Sequence, residues 1–284
     1  MFKKNEIVEK QILNSQVKLM KIYAPRIALK AQPGQFIIFR VDEFGERIPL
    51  TIADYDAHEG TVTIIFQEVG LSTIKLGSLN IGDCLLDFVG PLGTPSHLDG
   101  YKKVAVIGGG LGTAIAYPQA KKLSLSGAEV HMITGFRNKD LIILEDECSK
   151  VSDKLIIATD DGTNGNKGLV TDILKKLIDD GNKYDLIIAI GPLPMMKFVS
   201  LLTKEYNIKT IVSMNPVMID GTGMCGGCRL TVGGKTKFAC VDGPDFDGHL
   251  VDFDEAIMRS KAFKDKETDA INHHKCRMEG IKHE

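Results

Sequence analysis

The run VAVIGGGLGTAIAYP, residues 104–118, decides the reading of this chain. It opens with an unbroken apolar stretch, the pattern of a strand covered on both faces in a parallel sheet. Consecutive glycines then punctuate the chain, and TAIAYPQAKKLSLSG (113–127) continues with helix-compatible spacing. A strand, a glycine-rich turn and a helix in that order bring backbone amides and a helix N-terminus up to a pyrophosphate. The turn is not G-x-G-x-x-G in strict form, so packing alone is the competing reading. The strand before it and the sheet after it favour a nucleotide.

Downstream, EVHMITGF (129–136), KLIIATDD (154–161), YDLIIAIG (184–191) and TIVSMN (210–215) alternate with helical patterns, as a doubly wound parallel sheet requires. Upstream, short β-rich runs such as QFIIFRV (35–41) and TVTIIFQEV (61–69) are separated by turn signals at Pro33-Gly34, Gly45, Gly60 and Gly82-Asp83. That pattern predicts a small antiparallel barrel. The expected organisation is β-barrel plus α/β: a barrel domain over 1–99, a nucleotide-binding α/β domain over 100–215, a glycine- and cysteine-rich segment over 216–250, and a charged helix or tail over 251–284.

Of the 284 residues, 43% are hydrophobic and 25% charged, enough apolar material for more than one core. A formal net charge of -2 supplies no basic field for nucleic acid, and no lysine-rich block suggests a membrane surface. The start, MFKKNEIVEKQILNSQV, lacks an apolar core of signal-peptide length, and no run approaches the roughly 18 apolar residues of a spanning helix. A cytoplasmic location is expected, with small molecules and proteins as partners. In a reducing compartment the six cysteines are read as metal ligands or bystanders.

Three of them lie in IDGTGMCGGCRLTVGGKTKFACVDG (219–243), spaced Asp220-x4-Cys225-x2-Cys228-x11-Cys240. With Cys in place of Asp220, this is the spacing of plant-type 2Fe-2S sites. A loop folded round inorganic sulfides with its amides pointing inward favours residues without bulk, and glycines stand at 221, 223, 226, 227 and 233. Asp220 occupies the missing ligand position, where a hard carboxylate can bind ferric iron through oxygen; an ordinary Asp-Gly turn is the other reading. Half a zinc site is the rival for Cys225 and Cys228, but no histidine or second CxxC lies nearby. Cys84 and Cys148 fall outside any ligand spacing and are expected as a packed and a surface thiol, respectively. His273, His274 and Cys276 are read as a solvated end rather than a metal site.

Two segments of the barrel also carry binding chemistry. ERIPLTIADYD (46–56) sets Arg47, Pro49, Leu50 and Thr51 in one extended segment, where a guanidinium suits a phosphate and a hydroxyl suits a flavin ring nitrogen. VGLSTIKL (69–76) supplies a glycine, two hydroxyls and a helix start. Asp160-Asp161-Gly162 and Gly191-Pro192 follow later strands, at the edge where an open α/β sheet holds its ligand. Each is open to a plain turn reading when taken singly.

Along nearly its whole length the chain resembles the ferredoxin reductase-like flavoproteins, a flavin-binding barrel followed by a pyridine-nucleotide domain. The motifs are PGQF (33–36), RIPLT (47–51), GLST (70–73), GPLG (90–93), GGGLG (108–112) with Tyr117-Pro118, and Gly191-Pro192. Its cluster segment is similar to that of dihydroorotate dehydrogenase electron-transfer subunits, which carry four cysteines. It is more similar to the small subunits of NADH-dependent ferredoxin:NADP oxidoreductases, also called sulfide dehydrogenase subunits, which have aspartate first, then GTGMCGGC and a CVDGPDFDGH run, here 240–249.

The resemblance implies FAD held by Arg47, Pro49, Leu50, Thr51, Gly70, Ser72 and Thr73, and NAD(H) along Gly109, Gly110, Gly112 and Asp161, near Gly191 and Pro192. The family's Cys-Gly-Pro reads Ile190-Gly191-Pro192 here, so no thiol acts at that point. NAD is favoured over NADP, with Arg137 either a 2′-phosphate contact or a surface charge. Hydride transfer by cofactor placement needs no catalytic side chain. Electrons would run between NADH, FAD and the cluster, within a heterodimer whose larger iron–sulfur flavoprotein subunit handles ferredoxin and NADP(H) by electron bifurcation.

Overall fold

QFIIFRV shows no polar alternation because its strand is covered on both sides. In β3 (Phe36–Arg40) the side chains of Ile37 and Phe39 join one core, and those of Phe36 and Ile38 join another. The structure, a computed structural model, describes residues 2–280, with side chains described as far as residue 272. His273, His274 and Cys276 lie outside the described side chains.

The first unit is an antiparallel six-stranded sheet of β1 (Ile7–Ile12), β2 (Val17–Tyr23), β3, β4 (Ile48–Asp56), β5 (Thr61–Gln67) and β6 (Asp87–Leu92), in the order β1-β2-β5-β4-β3-β6. Its first strand bonds back to the segment before its last. The Ile7 amide donates to the Asp83 carbonyl and the Leu85 amide to the Asn5 carbonyl, so the sheet curls into a barrel. Two helices flank it, α1 (Pro25–Ala28) and α2 (Leu71–Ser78), and Ile27 and Leu76 complete its core.

The second unit has six strands in the order β14-β11-β10-β7-β8-β9, namely β7 (Lys103–Gly109), β8 (Glu129–Phe136), β9 (Lys154–Thr159), β10 (Leu186–Ile190), β11 (Thr210–Ser213) and β14 (Asp245–Asp247). All neighbours are parallel except β14, which runs antiparallel along the edge of β11. Alternate residues of β7 feed opposite layers. Val104 and Val106 pack under Ala116, Ala120 and Leu123 of α3 (Gly112–Leu125). Ala105 and Ile107 pack under Leu174 and Leu177 of α5 (Val170–Asp179) and Met196 and Val199 of α6 (Leu193–Glu205). A short helix, α4 (Glu145–Lys150), lies between β8 and β9. The chain reverses its winding between β7 and β10, the point where such sheets open a ligand crevice.

The segment after residue 215 is smaller: a hairpin of β12 (Arg229–Val232) and β13 (Lys235–Phe238), then α7 (Ala239–Asp242), β14, α8 (Phe253–Arg259) and α9 (Lys264–Gly280). Among the described residues it has no separate core. Met218, Cys228, Leu230, Ala239, Cys240, Phe246 and Phe253 share the cluster of apolar side chains that covers one face of the nucleotide sheet and touches Phe36 and Ile38. Residues 245–247, expected within the cysteine-rich segment, instead complete that sheet as its edge strand. No described helix is long and apolar enough to cross a membrane.

One expectation about the thiols is reversed. Cys84 is exposed, in the connection before β6, whereas Cys148 is buried beneath α4 among Ala116, Ala120 and Val130. Six residues of α4 carry few apolar groups, so the helix seals itself with its cysteine, and burial pushes that thiol up to about 12.

Two measurements follow from this packing. A thiol reagent at pH 8 should alkylate Cys84 in the native protein and Cys148 only after unfolding, as read by peptide mass spectrometry. Gly112→Ala should destabilise the fold by about 1–3 kcal/mol, because overpacked sites resist added carbon; its Cβ would stand 2.2 Å from the Ile190 carbonyl oxygen and 2.7 Å from Gly191 Cα. Calorimetric unfolding of the variant checks this.

Candidate functional site

The cysteine-rich loop is shaped by left-handed glycines. Gly221, Gly223 and Gly226 have φ of 74°, 82° and 68°, so the chain turns repeatedly without side-chain strain. Asp220 ties the turns together. Its Oδ1 accepts the Thr222 amide at 3.0 Å, and its Oδ2 accepts those of Met224 at 3.1 Å and Cys225 at 2.7 Å. These bonds, led by that from Thr222, hold its carboxyl below the ordinary range.

The four predicted ligands fall into two pairs. Cys225 lies against the Asp220 carboxylate, which accepts its amide, while Cys228 and Cys240 belong to one apolar cluster, both only 1% exposed. Burial first, and the Cys228 contact second, push the Cys240 thiol up to about 12. An amide reaches one of the sulfurs: Gly227 N–H donates to Cys225 Sγ at 3.5 Å. Among the described residues no three Cys, His, Asp or Glu side chains converge as ligands of a single ion would. Paired donors, an amide aimed at sulfur and glycine turns suit a two-iron cluster, which takes its four ligands two at each iron.

The loop is docked on the barrel. A Cβ at Gly221 would meet Ile38 Cδ1 at 2.7 Å and Leu92 Cδ1 at 2.8 Å. Arg47 Nε donates to the Ile219 carbonyl at 3.0 Å, so this predicted flavin residue also braces the cluster loop. Pro49, Leu50 and Thr51 are half-buried on β4, opposite Ile38, Ile37 and Phe36 of β3. Gly70 caps α2 with open space where its side chain would be, room for a phosphate oxygen. The Thr73 hydroxyl closes the turn, accepting the Val69 and Gly70 amides and donating to the Gly70 carbonyl. Ser72 Oγ lies 3.5 Å from a Glu46 carboxylate oxygen.

A cleft of about 890 Å³ opens at the winding reversal, between the barrel and the nucleotide sheet. Gly109, Gly110, Gly112, Gly191 and Pro192 line it. Glycine is needed here for close approach: Cβ atoms at Gly109 and Gly191 would meet Pro192 Cδ at 2.9 Å and Gly109 Cα at 3.0 Å. Gly110, at φ 54°, faces open space, as a backbone cradle for a pyrophosphate does. Asp160 lines the cleft. Asp161 does not, and its Oδ1 instead accepts the Thr163 amide and hydroxyl, which hold its carboxyl below the ordinary range. Arg137 lines the cleft as well. Asn14, Gln16, Met195, Phe198 and Asn215 do so without any motif to signal it; they arrive from separate elements, and Asn14 and Gln16 from the barrel.

Comparison with known proteins gives a consistent outcome. Residues 215–252 match the family model described as the iron-sulfur cluster binding domain of dihydroorotate dehydrogenase B. A Clostridium beijerinckii protein described as "uncharacterized protein in adh 3'region" is 53% identical, covering 92% of this chain and 91% of that one. The Thermotoga maritima homologue of the dihydroorotate dehydrogenase B (NAD(+)) electron transfer subunit is 46% identical over 93% of each chain. A chain in the solved structure of the NADH-dependent reduced ferredoxin-NADP oxidoreductase, reported for its insights into flavin-based electron bifurcation, superposes with a TM-score of 0.91 at 43% identity, covering 96% of this chain and 99% of that one. Similarity of this extent, running through barrel, nucleotide sheet and cluster loop alike, means that the chain belongs to the family of dihydroorotate dehydrogenase B electron-transfer subunits and their homologues.

Proposed function

We propose that this protein is an electron-transfer flavoprotein subunit that moves electrons between NAD(H), FAD and a 2Fe-2S cluster, inside a heterodimeric NADH-dependent ferredoxin:NADP oxidoreductase of the cytoplasm. The observation that carries this reading is the near end-to-end match to a chain of that oxidoreductase, at a TM-score of 0.91. Bound FAD would supply the conversion between a two-electron hydride donor and a one-electron acceptor.

The chain's own residues position these groups. Gly109, Gly110 and Gly112 hold NAD(H) at the winding reversal with Gly191 and Pro192, and Asp161 fixes the adjoining turn. Arg47, Pro49, Leu50, Thr51, Gly70, Ser72 and Thr73 hold FAD on the barrel. Asp220, Cys225, Cys228 and Cys240 would hold the 2Fe-2S cluster. Arg47, bonded to the cluster loop, ties the flavin side of the barrel to the metal side.

Cys225 is the exposed cysteine of the predicted ligand set, so its side is the face a bound cluster would present to a partner. Met224 is 88% exposed there, and Val217, Ile219 and Val241 are exposed too. Such an apolar collar suits a protein partner, here the larger iron–sulfur flavoprotein subunit that handles ferredoxin and NADP(H).

Anaerobic purification of the native protein should bring down a second subunit with its own clusters, and the complex should oxidise NADPH only when ferredoxin and NAD are both present. Dihydroorotate-dependent NAD reduction by that complex would instead make the chain a dihydroorotate dehydrogenase subunit. Cys228→Ser or Cys240→Ser should remove most of the iron and acid-labile sulfide. Asp220→Cys should keep a cluster while shifting its potential and EPR signal, since ligand identity is a main lever on both; unchanged spectra and potential would leave Asp220 only its amide-binding role.

A further inference from the structure

Asp245 stands where all three parts of the molecule meet. Its Oδ2 accepts the Ser96 hydroxyl, from the link between barrel and nucleotide sheet, at 2.5 Å, and Gln119 Nε2, from α3, at 3.3 Å. Oδ1 is sealed from solvent and has no hydrogen-bond partner. On β14 it faces Ser213 of β11 as its antiparallel register partner, a spacing at which side chains of one face touch.

Two separate spaces flank this group. Ser213 belongs to the wall of the nucleotide cleft. On the other side Asp245 and Ser96 line an outer cavity of about 240 Å³, shared with His97, Lys209, Asp242 and Asp247. Of these charged groups, Lys209 is engaged by the Tyr101 hydroxyl, Asp242 by Lys237 and the Phe238 amide, and Asp247 by the His249 amide. His97 is exposed and lines the same cavity. Burial holds the Asp245 carboxyl above its ordinary range, against Ser96, Ser213, Gln119 and His97, which pull it down.

On the reading given above, the balance of the reaction leaves a proton to be moved. Oxidising one NADH with two one-electron acceptors, such as iron–sulfur centres, breaks its C4–H bond and passes on both electrons singly. One proton per NADH remains and must reach water; in the reverse direction one must enter. We propose that Ser213, Asp245 and Ser96 form a proton path between the nucleotide cleft and the outer cavity, with Asp245 as a positioning and acid–base residue that acts through Ser213. Hydride transfer itself needs no such group, so the residue serves the electron-exit half of the reaction.

The test uses the anaerobically purified holoprotein, NADH, ferricyanide as one-electron acceptor and a pH-indicator dye in stopped flow. In the Asp245→Asn variant, flavin bleaching by NADH should stay within about twofold of wild type while proton release slows about tenfold or more, as removal of an acid–base group does. Acetate or imidazole should restore the rate. Ser213→Ala should act in the same direction, and it decides the matter if Asp245→Asn fails to retain flavin and iron.

A readout independent of turnover is the infrared band of a protonated carboxyl, which in wild type should persist to higher pH than that of an ordinary carboxyl and should be missing in Asp245→Asn. Stability gives the same sign. A carboxyl raised in the fold stabilises at low pH and loses that contribution as pH rises through its folded pKa, so the thermal midpoint of Asp245→Asn should fall less between pH 5 and pH 9 than that of wild type. Proton release at wild-type rate, equal slowing of both phases without rescue, or no carboxyl band would each overturn the proposal. Failure of NADH to bleach flavin in wild type refutes the functional reading, and the path falls with it.

Discussion

Strand β3 is buried on both faces, and the architecture is arranged around that constraint. Ile37 and Phe39 fill the barrel, while Phe36 and Ile38 face outward into the core that continues through the nucleotide sheet and the cluster segment. An outward face so apolar cannot be left to water; covering two large side chains is worth roughly 1.5–3 kcal/mol each. The cluster loop supplies part of the cover, and Gly221 is the residue that lets its backbone lie against Ile38 and Leu92. The position of the metal segment relative to the barrel therefore follows from hydrophobic burial, with Arg47 and the Ile219 carbonyl adding a directed bond.

The nucleotide cleft follows from a second close approach. Gly112 sits at the start of α3 with the Ile190 carbonyl where a side chain would be, and Gly109 and Gly191 lie back to back. The two central strands can then approach while their connections leave in opposite directions, which opens the crevice. The barrel closes the other wall with Asn14, Gln16, Val17 and Gln67, and the Lys121–Asp54 ion pair, 2.8 Å to both carboxylate oxygens, links α3 to β4. That pair is about one-third exposed, so it fixes orientation more than it stabilises. Nucleotide sheet, cysteine-rich loop and the outward face of β3 are thereby joined through one apolar cluster.

Much of this was legible in local pattern. The unbroken apolar run at 104–109, the glycines after it and the alternating elements beyond it identified a doubly wound sheet, and short runs between turn signals identified the barrel. Spacing alone selected Asp220, Cys225, Cys228 and Cys240, which the fold gathers into two pairs. Features that depend on a distant partner were less legible. Cys84 and Cys148 exchanged their expected places because each thiol's exposure is set by what lies across from it. Asp160 and Asp161 are adjacent in the chain, and only the path of the following turn decided which of them meets the cleft and which bonds Thr163.

By itself the sequence determined the classes of element, the spacing of the predicted cluster ligands and the glycine positions where backbone must bend or approach, because these depend on neighbours within a few residues. Tertiary structure alone decided that 245–247 becomes the edge strand of the nucleotide sheet, that Arg47 braces the cluster loop, and that Asp245 lies between two cavities beside Ser96, Gln119 and Ser213. Those outcomes join residues between 32 and 172 positions apart. The physical reason is that the burial of an apolar face such as that of β3 chooses partners by shape and area, which no local periodicity encodes.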